Sequence, residues 1–89
     1  MSKWITEFPE EEGWWWFFGH RFGLNGIGEL SGAPELCPVK VRVVRNGHMY
    51  IADGSFMYKS EVLYPHFKKM DDVPANFPTI EYKDGHSYE

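Results

Sequence analysis

The side chains that could hold a metal ion or attack a substrate are few and widely spaced. The soft metal ligands are His20, His48, His66, His86 and Cys37. Structural zinc sites usually take paired ligands a few residues apart, and no two of these residues have that spacing. Cys37 has no basic neighbour within its own loop that would activate a thiol. We therefore expect neither a metal site nor a cofactor, and we expect these side chains to pack or to lie at the surface.

The carboxylates also lack the arrangement of a catalytic site. They cluster in Glu10–Glu12 and Asp71–Asp72, in segments that the sequence predicts to be solvated. Carboxylate pairs that perform acid–base chemistry instead lie across a cleft in unlike environments. No grouping of serine, histidine and acid is suggested by spacing. The sequence therefore predicts a protein that is not an enzyme.

Basic and aromatic residues that share one segment are more informative. Lys40, Arg42 and Arg45 precede Phe56 and Tyr58 in a stretch with strong β propensity. Aromatic rings beside cationic groups suit stacking on a base or pairing with a phosphate. The alternative is that these charges keep strand ends soluble, as sheet edges commonly require.

The composition limits the classes to which the chain can belong. Its 89 residues carry a net charge of -4, with 43% hydrophobic and 25% charged residues. This length fits one domain, the apolar content excludes a disordered chain, and no apolar run is long enough to span a membrane. The acidic balance argues against binding to duplex nucleic acid. With one cysteine and no recognisable signal peptide, we expect a cytoplasmic protein.

Aromatic residues make up 18% of the chain, with four Trp, five Tyr and seven Phe. Each such side chain buries roughly 150–250 Å², and a domain of this size has little interior volume. We therefore expect some rings to be exposed, where they mark a partner surface or a contact between copies of the chain.

The strongest strand pattern follows Gly13 and ends at Phe22. Period two places Trp14 and Trp16 on one face and Trp15 and Phe17 on the other. Because both faces are apolar, we expect this strand to be covered on both sides.

The segments around this strand are irregular. Residues 1–12 are predicted to form an extended arm held by Trp4, Ile5 or Phe8, since Pro9 disfavours a helix. Residues 23–38 are predicted to form a long loop rich in glycine and proline. Its Gly-Leu-Asn-Gly-Ile-Gly spacing is similar to phosphate-binding loops but lacks their Lys-Ser/Thr ending.

A meander of three strands is predicted from residue 39 to residue 59. Asn46-Gly47 and Asp53-Gly54 are favoured two-residue hairpin turns. The register that they imply pairs Val43 with Tyr50 and aligns Arg45, His48 and Lys59 on one face. The opposite face then carries Lys40 and Arg42 near Phe56 and Tyr58.

The C-terminal part of the chain is predicted to be mostly extended. Residues 64–69 alternate as a strand, and Pro65 would restrict that strand to a sheet edge. Residues 71–89 are predicted to form an extended tail, with 83–89 frayed.

Several of these pieces together resemble a type of small phage and prophage protein. The matching pieces are Gly13-Trp14-Trp15-Trp16 and its continuation, the valine-rich hairpin from Pro38 to Ile51, and the proline-spaced stretch from Phe67 to Pro78. The resemblance implies an accessory viral protein. Several small phage proteins of this size act by occupying a host defence protein or by sequestering its nucleotide signal.

Taken together, these observations predict a mainly β fold, either a strongly bent antiparallel sheet or an SH3-like barrel. We expect a non-enzymatic binding protein in the host cytoplasm that self-associates and occupies a host protein. A small nucleotide as ligand and a structural or assembly role are the alternatives. The residues expected to bind the partner are the anchors Trp15, Phe17 and Tyr58 and the polar or phosphate contacts Arg21, Arg42 and Arg45.

Overall fold

The computed structural model describes residues 3–23, 33–71, 74 and 76–82. Within those residues all regular secondary structure is β. The strands are β1 (Gly13–His20), β2 (Glu35–Val44), β3 (Gly47–Ala52), β4 (Ser55–Phe56) and β5 (Leu63–Lys69). The prediction of a mainly β fold is confirmed.

The five strands form one antiparallel sheet in the order β4-β3-β2-β1-β5. The aromatic strand β1 is paired on both sides, by β2 and by β5. β4 and β5 lie at opposite edges and do not pair with each other. The described strands therefore make an open sheet and not the closed barrel that was the other predicted form.

One face of the sheet carries the hydrophobic core. Side chains alternate between the two faces along a strand, and the register places Phe17 between Cys37 of β2 and Phe67 of β5. Phe8 of the N-terminal arm covers this face, with its ring centroid 4.9 Å from that of Phe67 and 5.0 Å from that of Tyr50. The buried apolar residues are Trp15, Phe17, Cys37, Val39, Val41, Tyr50, Ala52, Met57, Val62 and Phe67.

The turn between β2 and β3 differs from the prediction. Val44 pairs with Gly47, so the turn consists of Arg45 and Asn46 and not of Asn46 and Gly47. A type I′ turn needs positive φ at both central residues. Neither Arg45 nor Asn46 has a positive φ, whereas Gly47 adopts φ +144° as the first residue of β3. The Asn-Gly pair therefore ends the turn instead of forming it.

This change shifts the strand pairing by two residues. Val43 pairs with His48, and Tyr50 pairs with Val41. The predicted alignment of Arg45, His48 and Lys59 is consequently wrong. A shift of two residues returns every side chain to its original face, so the predicted faces of β2 and β3 are retained although the partners change.

The second hairpin has the predicted turn and a shorter strand. Asp53 and Gly54 have φ values of +52° and +78°, as a type I′ turn requires, and Ala52 pairs with Ser55. β4 ends at Phe56, so the strand predicted to continue to Lys59 is too long.

The predicted loop over residues 23–38 is too long at its C-terminal end, because Glu35–Pro38 belong to β2. Residues 24–32 of that loop lie outside the described residues. Pro38 pairs with Trp16 of β1, while the pairing with β3 begins only at Val39. The N–H that proline lacks is therefore not needed for a bond to β3.

β5 is an edge strand, as Pro65 predicted. Its pairing with β1 is interrupted between Phe18 and His20. A Cβ atom at Gly19 would lie 2.5 Å from the carbonyl oxygen of Tyr64. The backbone of Tyr64 is itself irregular, with φ +54°. The close approach of the two strands at this bulge therefore requires glycine.

The N-terminal arm runs beside β5 and onto the core face. The backbone N–H and C=O of Ile5 bond to those of Phe67, each with an N–O distance of 2.7 Å. The Tyr50 hydroxyl donates to the carbonyl oxygen of Pro9 at 2.8 Å. These bonds attach the arm to β5 at Ile5 and to β3 at Pro9.

Candidate binding surface on the second face of the sheet

The face of the sheet opposite the core, which we call the second face, combines aromatic, aliphatic and basic side chains. Alternation along each strand and the pairing between strands define its members. They are Trp14, Trp16, Phe18, Leu36, Pro38, Lys40, Arg42, Val44, Met49, Ile51, Phe56, His66 and Lys68.

Four of these residues form a row across four strands. Trp14 pairs with Lys40, Lys40 with Ile51, and Ile51 with Phe56. At a strand spacing of about 4.8 Å, the row is about 14 Å long. Trp14 and Phe56 are 52% and 54% exposed, so both ends of the row present ring area to solvent.

Basic side chains lie directly beside the aromatic residues of β1. The ammonium nitrogen of Lys40 is 5.8 Å from the ring centroid of Trp14. On the other side of β1, Trp16 pairs with Lys68 and Phe18 with His66. Each aromatic residue on this face of β1 therefore has a basic residue opposite it.

The charged side chains at the strand positions of the second face are all basic. Its strand positions carry Lys40, Arg42 and Lys68 and no Asp or Glu. The Glu12 carboxylate approaches its border, where it accepts a hydrogen bond from the Val43 backbone N–H at 3.2 Å. The charges at these strand positions are thus positive, whereas the chain as a whole is acidic.

The C-terminal segment covers one end of the second face. Phe77 stacks on Phe18, with ring centroids 5.1 Å apart and planes inclined by 18°. His20 Nε2 lies 2.8 Å from the Tyr82 hydroxyl, and the His20 side chain is buried. Because this contact is at the far end of β1, the surface around Trp14 is left accessible.

Two of the predicted anchors belong to the core. Trp15 is 9% exposed and Phe17 is fully buried. The Trp15 indole N–H donates to the carbonyl oxygen of Glu11 at 3.1 Å. They therefore offer no binding surface on this chain, and the prediction that they anchor a partner is wrong. The period-two pattern separated the faces of β1 correctly, but we assigned the anchors to the wrong one.

Arg21 is likewise structural. Its guanidinium donates to the carbonyl oxygen of Ala52 at 2.9 Å and to the Asp53 carboxylate at 3.3 Å. The side chain is only 8% exposed, whereas that of Asp53 is 65% exposed. These bonds attach the end of β1 to the β3–β4 turn. The predicted phosphate contact by Arg21 is therefore not supported by its position.

The other three predicted residues are exposed. Arg42 lies on the second face, opposite Met49. Arg45 lies in the β2–β3 turn at the end of that face. Tyr58 is 57% exposed, and its ring centroid is 6.4 Å from that of Phe56. These residues stay candidates for partner contact.

The sequence pattern does not single out Trp14 or Lys68 as binding residues, and it indicates Phe56 only as an aromatic neighbour of Lys40 and Arg42. The available signal was the position of the cations, because Lys40 and Arg42 alternate with the valines of β2. That alternation shows which face of β2 is polar. Identifying the matching face of β1 required the pairing between the strands, which the sequence does not provide.

The buried thiol of Cys37 does not provide a nucleophilic site. Burial raises the pKa of the Cys37 thiol to about 11, and the carboxylates of Glu35 and Asp53 act in the same direction. Such a thiol is a poor nucleophile at neutral pH. In the part of the chain that the structure describes, no three His, Cys, Asp or Glu residues come close enough to hold a metal ion.

A scan against protein-family models and searches among curated proteins and solved structures find no match to this chain. None of the described residues belongs to a helix that is long and apolar enough to cross a membrane.

Proposed function

We propose that this protein is a non-enzymatic binding module that inhibits or regulates a host component by occupying it. The contact surface in this proposal is the second face of the sheet. The observation that carries it is the exposed row that runs from Trp14 through Lys40 and Ile51 to Phe56. A sheet face with large exposed rings is a common location for partner contacts.

The composition of the second face supports this assignment. Aromatic residues, methionine and arginine are enriched at binding interfaces, and tryptophan and arginine carry much of their energy. Trp14, Phe56, Met49 and Arg42 supply all of these types on one face. The resemblance to small phage proteins is our reason for proposing a host component, for example one that acts in defence against phage.

A second candidate is a homo-oligomer that sequesters a small nucleotide signal. The position of the Lys40 ammonium group beside the Trp14 ring favours it, because a base could stack on the ring while the ammonium group pairs with phosphate. Both candidates use the second face, so one experiment tests the location of the site for both.

The test is photo-crosslinking inside cells that carry the natural partner. Trp14 is replaced by a photoreactive phenylalanine derivative, and the matched control carries the same replacement at Phe22. Phe22 is 60% exposed and follows the far end of β1, so it samples solvent away from the Trp14 row.

We expect a discrete, light-dependent adduct from position 14 and none from position 22. The adduct should weaken when Lys40→Gln is added. Equal adducts at both positions, or none at position 14, would exclude the second face as the contact surface.

A further inference from the structure

The alternation of rings and cations on the second face indicates the chemistry of its ligand. This inference rests on the proposed function and concerns the same site. Trp14 and Trp16 are two residues apart on one face of β1, a separation of about 6.8 Å. That separation is twice the rise of about 3.4 Å per nucleotide along the axis of a duplex strand, where neighbouring bases stack directly on each other. Bases stacking on the two rings would therefore belong to an extended, unstacked strand.

Cations flank the two rings on both sides of β1, within reach of the phosphates of a strand that lies along the rings. Lys40 is opposite Trp14 on one side of β1, and Lys68 is opposite Trp16 on the other. Arg42 follows Lys40 on the same face of β2. Single-stranded nucleic acid is commonly bound by such a combination of stacking rings and backbone-tracking cations.

A protein partner fits this arrangement less well. Protein interfaces have a centre depleted of charged residues and a polar rim around it. On the second face Lys40 instead lies inside the row, between Trp14 and Ile51. Its ammonium group needs an anionic partner at the centre of the contact, which a phosphate backbone supplies.

A second copy of the chain fits less well still. Two second faces packed against each other would bring Lys40, Arg42 and Lys68 of one copy close to those of the other. The strand positions of this face offer no carboxylate to compensate for the repulsion.

The net charge of -4 is compatible with this ligand because the strand positions of the second face carry no Asp or Glu. Lys69, the neighbour of Lys68 in sequence, points to the core side and pairs with the Glu11 carboxylate at 2.9 Å. The acidic arm is thus neutralised in part on the opposite side of the sheet. An open face also suits a single strand better than a duplex, whose bases are already stacked.

We propose that the second face binds single-stranded nucleic acid, with bases stacked on Trp14 and Trp16 and phosphates paired with Lys40, Arg42 and Lys68.

The test is fluorescence anisotropy of a labelled thymidine oligonucleotide of about 8 nucleotides, titrated with the full chain at low salt. We expect saturable binding, roughly tenfold weaker with Trp14→Ala and largely restored with Trp14→Phe, because a ring is needed for stacking. Phe22→Ala is the aromatic control and should leave the affinity unchanged.

Charge is tested with the neighbouring lysines, which lie on opposite faces. Lys68→Gln and Lys69→Gln change the net charge equally, but only Lys68→Gln should weaken binding. Three phosphate contacts predict a slope of about -2 for the logarithm of the binding constant against the logarithm of salt concentration. Lys68→Gln should reduce the magnitude of that slope by about 0.7.

Each alternative has its own result. Absence of binding, or binding that Trp14→Ala and Lys68→Gln leave unchanged, would overturn the proposal. Equal affinity for poly-glutamate would also overturn it and would indicate an acidic protein as the ligand. Equal affinity for a duplex would exclude base stacking on Trp14 and Trp16 and would show that only the phosphate backbone is bound. In all of these cases a crosslink from position 14 would still support the second face as the binding surface.

Discussion

At the scale of the single residue, Cys37 lies in the core, and burial raises the pKa of its thiol. Because its folded-state pKa of about 11 exceeds the ordinary 9.0, the folded protein retains this proton to higher pH than the unfolded chain does. The stability that this difference contributes is complete below pH 9 and is lost as the pH rises towards 11. The thiolate needed for alkylation is correspondingly rare at neutral pH.

We therefore expect Cys37 to react with iodoacetamide at pH 8 at least about tenfold more slowly in the folded protein than in denaturant, as measured by mass spectrometry. The free energy of unfolding should fall between pH 9 and pH 11, and the fall should be smaller in Cys37→Ala. Burial also raises the pKa of Tyr50. Because Tyr50 is present in both proteins, its contribution to the pH dependence is the same in each. Equal alkylation rates in the two states would contradict the buried position of the thiol.

Arg21 shows why residue type alone does not predict a role. An arginine after an aromatic strand is chemically suited to phosphate, and we predicted that contact. The fold instead places its guanidinium under the β3–β4 turn, where the Ala52 carbonyl and the Asp53 carboxylate accept its hydrogen bonds. A buried guanidinium needs such partners, because leaving it unpaired would cost several kcal/mol. Which residues would surround it depends on contacts between distant segments.

At the scale of the structural element, the bulge between β1 and β5 depends on a single glycine. An alanine at position 19 would place its Cβ atom 2.5 Å from the Tyr64 carbonyl oxygen, which is backbone and cannot rotate away. The strands would have to separate at the point where Phe18 pairs with His66.

We expect Gly19→Ala to lower the free energy of unfolding by about 1–3 kcal/mol more than Gly47→Ala does. Gly47 is the matched control, since its φ of +144° also disfavours alanine while its Cβ atom would meet open space. Denaturant unfolding monitored by tryptophan fluorescence measures both variants. Similar losses for the two would mean that β5 moves aside at little cost.

The elements themselves were largely predictable, and their pairing only in part. Density of aromatic and β-branched residues identified β1, β2 and β3, and Asp53-Gly54 identified its turn. The Asn46-Gly47 turn was misplaced by one residue, because the same dipeptide can form a turn or follow one. Such an error moves every cross-strand partner by two residues while keeping the faces. Arg42 therefore lies on the predicted face of β2, but its cross-strand neighbour in β3 differs from the one that the predicted turn implies.

At the scale of the whole molecule, the sheet manages its two edges differently. β4 is only two residues long, which limits the edge that it offers to another strand. On the other edge, Phe67 of β5 bonds to Ile5 of the arm, and Pro65 has no N–H to donate. The sequence predicted both the edge position of Pro65 and the arm. Each of these features limits the addition of a further strand at its edge.

The cations of the second face affect how the chain could form the predicted homo-oligomer. Contact between second faces would bring Lys40, Arg42 and Lys68 of both copies together, and these like charges would repel each other. Salt screens this repulsion, because the Debye length falls from about 30 Å at 0.01 M to about 3 Å at 1 M. We expect self-association through this face to strengthen with salt, in the opposite direction to nucleic-acid binding. Sedimentation velocity at the two concentrations measures the change in mass.

The lysine pair separates this effect from the general influence of salt on apolar contacts. Lys68→Gln should promote association at low salt because it removes charge from the second face, whereas Lys69→Gln should not. An oligomer that dissociates as salt is added, or that responds equally to both substitutions, must use another surface. The second face would then stay open in the assembled protein, and the number of ligand strands bound would equal the number of chains.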